Sequence, residues 1–308
     1  MKNFLNISDL SSQELREIIE EAKTRKSKRK KLNKSAADFD KPFAGKSMVM
    51  VFEKPSTRTR ISFNIAVKQL GGSSIILNPN EIHYGKGSET IKDTAKVFSE
   101  YADIVMIRTS LHKNLEDLAK YSNIPVINGL SELSHPCQVV SDILTFEEAR
   151  GNIEGKTIAW IGDGNNNMSN SFIEAAAKFN FKLNISCPDK YKPKKKILDW
   201  AKKNKANISI IKNPNEAVKN VDCVMTDKWI SMNDKVDKKK KKKLLKGYQV
   251  NKKLMKLAKI DAIFMHCLPV SRGDEVTNEI IDGKQSVVWK QALNRVHAQK
   301  SIINWCLN

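Results

Sequence analysis

Behind Ser11 and Glu14, set three apart as in a capping box, the chain places Leu15, Ile18, Ile19 and Ala22 on one helical face, which predicts a capped amphipathic first helix. A basic stretch from Lys26 to Lys46 is broken near its end by Pro42 and Gly45. The unbroken apolar run from Met48 to Phe52 then reads as a short buried strand. Glu53-Lys54-Pro55-Ser56 opens a helix from about Thr57 to Leu70, stopped by Gly71-Gly72. Next come a strand at Ser74 to Leu77, a loop rich in Asn, Gly and His, and a helix from about Thr90 to Tyr101. A strand at Ile104 to Ile107 ends at Arg108, a helix runs from about Asn114 to Tyr121, and Pro125 to Asn128 forms a fourth strand. His135-Pro136-Cys137-Gln138 starts a long helix to about Arg150.

A second alternating series follows, with strands at Thr157–Ile161, Leu183–Cys187, Ile208–Ile211, Cys223–Thr226, Ala262–His266 and Ser286–Val288, and a terminal helix from Gln291 to Leu307. Repeated β–α alternation implies parallel sheets covered by helices on both faces. The expected fold is therefore α/β, two doubly wound parallel-sheet domains joined by helices. The division expected is 1–134 for the first domain, 135–150 for a connecting helix and 151–290 for the second, with 291–308 packing back.

Length agrees with this, since 308 residues exceed one ordinary core and fit two. The formal charge of +20 would by itself suggest an anionic macromolecule as partner. Composition argues otherwise: only nine of the 54 basic residues are arginine, and lysine is the ordinary solubilising surface choice. No nucleic-acid partner is expected. The same scarcity makes each arginine a candidate for a planar bidentate contact that lysine cannot make. The run Lys238 to Lys243, six consecutive lysines, reads as a solvated helix face or mobile loop. Five scattered cysteines without a CxxC pair argue against a disulfide framework or a structural zinc site. No apolar stretch approaches the ~20 residues that span a membrane, and the N-terminus lacks a signal-peptide apolar block. A reduced, cytoplasmic, unanchored protein is expected.

In parallel α/β sheets, ligands bind at strand carboxyl ends and helix N-termini, where free N–H groups and the helix dipole favour anions. Ser56-Thr57-Arg58-Thr59-Arg60 lies at such a junction and offers three hydroxyls and two guanidiniums, groups suited to a phosphate. A simple N-cap followed by surface arginines would also fit, but two arginines at one junction in this arginine-poor chain favour the phosphate. Arg108 ends its strand where the same ligand would lie. His135 and Gln138 stand three apart at another helix start, a pattern that ordinary capping also produces. Gly162-Asp163-Gly164-Asn165-Asn166-Asn167 lacks the third glycine of a dinucleotide fingerprint, which disfavours dinucleotide binding. Asp227-Lys228-Trp229-Ile230-Ser231-Met232 puts a carboxylate and a hydroxyl after a strand, either for an ammonium-bearing ligand or as a plain polar loop. Cys267, in His266-Cys267-Leu268-Pro269, is either a reactive thiol or a buried one.

Together STRTR, HPCQ, DKWISM and HCLP, in this order and at these intervals, closely resemble the ornithine carbamoyltransferases of the aspartate/ornithine carbamoyltransferase family, over essentially the whole chain. An aspartate carbamoyltransferase would share the phosphate motif but not the SM loop or the HCLP turn. The resemblance implies transfer of the carbamoyl group of carbamoyl phosphate to the side-chain amine of L-ornithine, with no metal and no organic cofactor. It matches Ser56, Thr57, Arg58 and Thr59 to the phosphate loop. Arg108 matches the arginine bridging phosphate and carbonyl oxygen. His135 and Gln138, with Pro136 and Cys137 between them, match the groups at the carbamoyl end, and Arg295 matches the arginine on the C-terminal helix, which returns to the first domain. On the ornithine side the match is to Asn167 and to Asp227, Ser231 and Met232. Cys267 and Leu268 match the turn beside the reacting amine, with Cys267 as proton acceptor and a depressed thiol pKa. Arg108, His135 and Cys267 are thus the expected catalytic residues.

Two departures from the family pattern stand out. Asn233 replaces the usual Gly after Ser231-Met232; Asn tolerates left-handed backbone better than most residues. His83 stands where Gln is common, and an extra residue lies near Ser88. In the family that loop reaches a neighbouring subunit's carbamoyl phosphate site, so a homotrimer is the implied minimum. The competing expectations are a carbamoyltransferase for another amine, such as putrescine or a modified ornithine, and a non-catalytic small-molecule-binding protein on the same fold. Asp227 and Ser231-Met232 favour a free α-amino acid, and the presence of Arg58, Arg108 and Cys267 favours an enzyme.

Overall fold

The computed structural model describes residues 2–78, 81, 89–230 and 237–308. His83, Ser231, Met232 and Asn233 therefore lie outside the described residues. The chain divides into two compact units, one of Met1–Ser141 with Leu293–Asn308 and one of Asp142–Ala292.

In the first unit, helix α1 (Ser12–Lys28) begins as its sequence requires. Ser11 accepts the N–H of Glu14, and the Glu14 carboxylate accepts the N–H of Ser11, so two orphan donors are satisfied reciprocally. Leu15, Ile18, Ile19 and Ala22 are its buried residues. Four parallel strands follow: β1 (Ser47–Phe52), β2 (Ser73–Leu77), β3 (Ile104–Arg108) and β4 (Val126–Leu130). Helices α2 (Thr57–Gln69), α3 (Ile91–Tyr101) and α4 (His112–Tyr121) connect them. The sheet order is β2-β1-β3-β4, so the winding direction reverses between β1 and β3. Right-handed crossovers then place helices on opposite faces either side of that point, which leaves a crevice at the strand carboxyl ends. The inner strands are buried along almost their whole length, which is why they read as continuous apolar runs, whereas edge strand β2 is half-exposed. At the end of β3 the register with β4 slips, Ile107 facing Asn128 but Arg108 facing Leu130. Gly129 is required there, since a Cβ would fall 2.4 Å from the Met106 sulfur.

Helix α5 (Pro136–Arg150) carries the chain into the second unit. Its five parallel strands are β5 (Thr157–Ile161), β6 (Lys182–Ser186), β7 (Ile208–Ile210), β8 (Cys223–Thr226) and β9 (Ile263–His266), ordered β7-β6-β5-β8-β9. The reversal here falls between β5 and β8. The helices are α6 (Asn167–Phe179), α7 (Lys195–Lys203), α8 (Pro214–Ala217), α9 (Lys238–Leu245), α10 (Lys252–Met255), α11 (Asn278–Ile281) and α12 (Val288–Leu307), the last of which crosses back into the first unit. Buried Asp222 ties β5 to β8: it accepts the Thr157 N–H and pairs with Lys259 and Arg150.

Two expectations need correction. Ser286–Val288 is no strand: Ser286 makes a single parallel bridge to Phe264, and Val288 already begins α12, a turn before the expected start at Gln291. The apolar pair Val287-Val288 that suggested a strand is the buried entry to that helix. The lysine run is a helix, capped by Asp237, but not solvated throughout, because Lys241 is buried.

Candidate functional site

The first unit gathers its polar groups at the β1/β3 switch point. Phe52 and Arg108 are register partners there, so the loop leaving β1 and the end of β3 lie side by side. Ser56 is the N-cap of α2 with extended backbone, but its hydroxyl makes no capping hydrogen bond. The hydroxyl and the free N–H groups of the helix start are thus available to an anion. A cavity of about 280 Å³ lies against this turn, lined by Phe52, Pro55, Ser56, Thr57, Arg60, Ile61 and Asn78. Arg60 is exposed and reaches Asn78 Oδ1 only at 3.5 Å.

Thr59, one turn into α2 and buried, joins the arginines. Its Oγ1 accepts from Arg108 Nη1 at 3.2 Å and from Arg295 Nη2 at 2.9 Å. Arg295 also donates to Gln138 Oε1 through its other terminal nitrogen. His135, buried just before α5, has its pKa held well below the ordinary histidine value, first by burial and then by the cations of Arg295, Arg108 and Arg58. It is therefore a neutral imidazole at physiological pH. Pro136 occupies the first helical position of α5, where its missing N–H costs nothing. The Cys137 thiol donates to the Asn128 carbonyl at 3.3 Å, and burial pushes its pKa up to about 12, so it is a packed, inert group.

Sequence reasoning missed Glu53. It accepts the Ser110 N–H at 2.7 Å and Asn114 Nδ2 at 2.9 Å, fixing the loop after Arg108. The signal available was an acidic residue directly after a buried strand. It also missed Ser131, whose Oγ accepts the N–H groups of Leu133 and Ser134 and lies 2.7 Å from His112 Nδ1, shaping the turn before His135.

The second unit presents its groups at the ends of β5, β8 and β9. Asn167 opens α6 behind the N-cap Asn166, which trades hydrogen bonds with Ser169. Asp163 braces that turn by accepting the Asn165 N–H at 2.8 Å. Asp227, just past β8, accepts from Lys228 N and, at 3.1 Å, from the Cys267 thiol, so the structure brings these two expected residues together. The backbone around Cys267 is pinned on both sides. The His266 N–H goes to Gln291 Oε1, and the Leu268 N–H goes to His266 Nδ1. Leu268 adopts φ of +58° before a cis peptide to Pro269. His266 Nε2 faces Glu275 at 3.4 Å, both side chains fully buried.

Asp227, His266 and Cys267 are also, among the described residues, a group whose ligand atoms lie close enough to hold a metal, within 4.8 Å. His266 Nδ1, however, already accepts the Leu268 N–H, and its far nitrogen points to Glu275. That leaves an acidic oxygen and a thiol, a donor set better matched to a substrate ammonium than to a tetrahedral metal.

The description "Aspartate/ornithine carbamoyltransferase, carbamoyl-P binding domain" matches residues 2–148, and "Aspartate/ornithine carbamoyltransferase, Asp/Orn binding domain" matches residues 154–306. The chain is 54% identical over 306 residues to an ornithine carbamoyltransferase of Rhodopseudomonas palustris, covering 99% of this chain and 96% of that one. It is 49% identical over 307 residues to one of Brucella ovis, covering 100% and 96%. Among solved structures, the ornithine carbamoyltransferase of Pyrococcus furiosus superposes with a TM-score of 0.91 at 42% identity, covering 98% of this chain and 96% of that chain. The anabolic ornithine carbamoyltransferase of Campylobacter jejuni gives 0.91 at 38% identity over 99% of each chain.

Proposed function

From the premise that this chain belongs to the aspartate/ornithine carbamoyltransferase family, we propose that it is the ornithine enzyme, transferring the carbamoyl group of carbamoyl phosphate to the side-chain amine of L-ornithine to give L-citrulline and phosphate. The observation that carries the donor side is the meeting of Arg108 and Arg295 on Thr59, with neutral His135 and Gln138 alongside.

The donor phosphate takes the start of α2, with Ser56, Thr57 and Arg58 at that start and Thr59 in its first turn. The guanidinium groups that share the Thr59 oxygen turn part of their donor capacity onto phosphate and carbonyl oxygens. His135, being neutral, donates its one N–H to the carbamoyl oxygen without adding a further cation among three arginines. Gln138, held by Arg295, offers its amide to the carbamoyl nitrogen. Pro136 and Cys137 contribute as the rigid turn between these two side chains, and the backbone at Cys267 and Leu268 borders the carbamoyl group.

The second unit supplies the acceptor. Asn167 and Asp227 hold the α-amino-acid end of ornithine, together with Ser231 and Met232. The neutral side-chain amine attacks the carbamoyl carbon, negative charge builds on the oxygen beside Arg108 and His135, and the carbon–oxygen bond to phosphate breaks with its electron pair leaving on phosphate. The amine's proton leaves toward Cys267 and Asp227, which already share one hydrogen bond. His83 stands in this reading as a contact from a neighbouring subunit.

Carbamoyl phosphate is a mixed anhydride, so transfer toward citrulline runs downhill, which is the direction that a place in arginine biosynthesis requires. A cytoplasmic location accords with the absence, among the described residues, of any helix long and apolar enough to cross a membrane. A homotrimer, or a multiple of it, follows from the family pattern of the loop around His83; half-exposed Ile75 on edge strand β2 supports a surface that another copy covers. Light scattering on the purified chain tests the assembly. For the reaction, citrulline or the corresponding ureido product is measured with ornithine, putrescine and N-acetylornithine side by side. Strong preference for ornithine is expected, and equal turnover of putrescine would sink the α-amino-acid assignment.

A further inference from the structure

Five of the six lysines from 238 to 243 are exposed; Lys241 alone is buried. Its ammonium lies 2.6 Å from Asp163 Oδ2, with side chains only 4% and 6% exposed, and it sits over the Tyr191 ring at 5.2 Å. Asp163 is the node of the turn that presents Asn167. Its second carboxylate oxygen accepts the Asn165 N–H at 2.8 Å, and its carbonyl accepts both Trp160 Nε1 and the side-chain amide of Asn166, the N-cap of α6. A carboxylate this buried stays ionised only with a charged partner. Ionised, it is a strong acceptor for the turn's N–H; unpaired, it takes up a proton or admits water, and the turn loosens.

We infer that the Lys241–Asp163 pair is a positioning device for the amino-acid substrate, locking the turn that carries Asn167 from a helix whose other five lysines face solvent. The inference rests on the ornithine reading of this unit. Neither residue touches the reacting atoms; both act through the placement of Asn167, and small misplacements of a substrate-holding group are costly in rate or affinity. The phosphate-holding groups Ser56 to Thr59, Arg108 and Arg295 lie in the other unit, so the effect should fall chiefly on ornithine.

The test is steady-state kinetics of citrulline formation by the full chain, with each substrate varied in turn, for wild type, Lys241→Met, Lys241→Arg and Lys240→Met. Lys241→Met is expected to raise the KM for ornithine about tenfold or more and to leave the KM for carbamoyl phosphate within about twofold. Lys241→Arg, which keeps a cation at the pair, should stay within about threefold of wild type. Exposed Lys240→Met should match wild type, which separates the pair from loss of charge alone. An unchanged ornithine KM in Lys241→Met, or equal increases for both substrates, overturns the inference. Should that variant fail to fold, Lys241→Met combined with Asp163→Asn removes the unpaired buried charge. A raised ornithine KM in that double variant supports the device, and a wild-type value overturns it. Failure of the wild type to make citrulline would overturn the ornithine reading itself, a result distinct from any of these.

Discussion

Thr59 offers one hydroxyl oxygen to two guanidinium groups, those of Arg108 and Arg295. Arg295 spans from Thr59 to Gln138 with two terminal nitrogens of one rigid plane, a geometry no single ammonium can copy. Arg295→Lys should therefore keep the charge yet lower kcat/KM for carbamoyl phosphate by at least about tenfold, measured by citrulline production with donor varied. Arg108→Gln should be harsher, with a loss of about 10²–10³ in kcat, because the proposed mechanism has this group meet developing negative charge. Cys267→Ser tests the proton route. If that variant kept both wild-type turnover and the wild-type pH–rate profile, the role of the thiol would have to be abandoned.

At the scale of elements, α12 is anchored to α1 and to the segment around Asp38 by polar pairs: Lys300 with Asp38, which is buried, and Lys26 with Asn294 and Asn304 with Glu21, which are part-buried. His297 on the same helix is buried among Lys300, Lys26 and Arg29, and burial together with these cations lowers its pKa from 6.5 to about 3. The folded chain thus refuses a proton that the unfolded chain accepts once the pH drops below 6.5. Stability from this residue is complete above that value and is lost as the pH falls toward 3, with a slope of at most about 1.4 kcal/mol per pH unit. Urea unfolding at several pH values between 6.5 and 4.5 should show a shallower decline for His297→Gln than for wild type. Elements of this kind were largely legible in the sequence. The capping box of α1, the apolar runs of the inner strands and the Ser56 helix start all follow from local spacing. What escaped is non-local: Ser286–Val288 looked like a strand because two valines adjoin, and only the proximity of Phe264 decides that it is one bridge. Lys241 could not be told from its five neighbours, since what distinguishes it is a carboxylate 78 positions earlier in the chain. Arg108, His135 and Cys267 could be picked out as residue types at strand and helix ends, but Ser131 and Gln291, which brace the backbone beside His135 and Cys267, could not, because nothing local in the sequence marks them.

For the whole molecule, the net charge of +20 brings self-repulsion that salt should screen. Raising ionic strength from about 0.01 M to 0.15 M shortens the screening length from about 30 Å to about 8 Å and should raise the melting temperature by a few degrees. Differential scanning calorimetry checks this, and a fall in melting temperature would show that attractive ion pairs such as Arg272–Asp282 dominate instead. The connection between Thr59 and Arg295 has a further consequence for how the molecule comes into being. The first unit's sheet is complete once β4 has been made, yet one of the two arginines on Thr59 arrives only with the last turns of the chain. A chain made only as far as β4 therefore carries all four strands of the first sheet but lacks the Arg295 contact to Thr59. A premature stop ahead of Arg295 should therefore weaken the proposed donor site even where the rest of the first unit has folded.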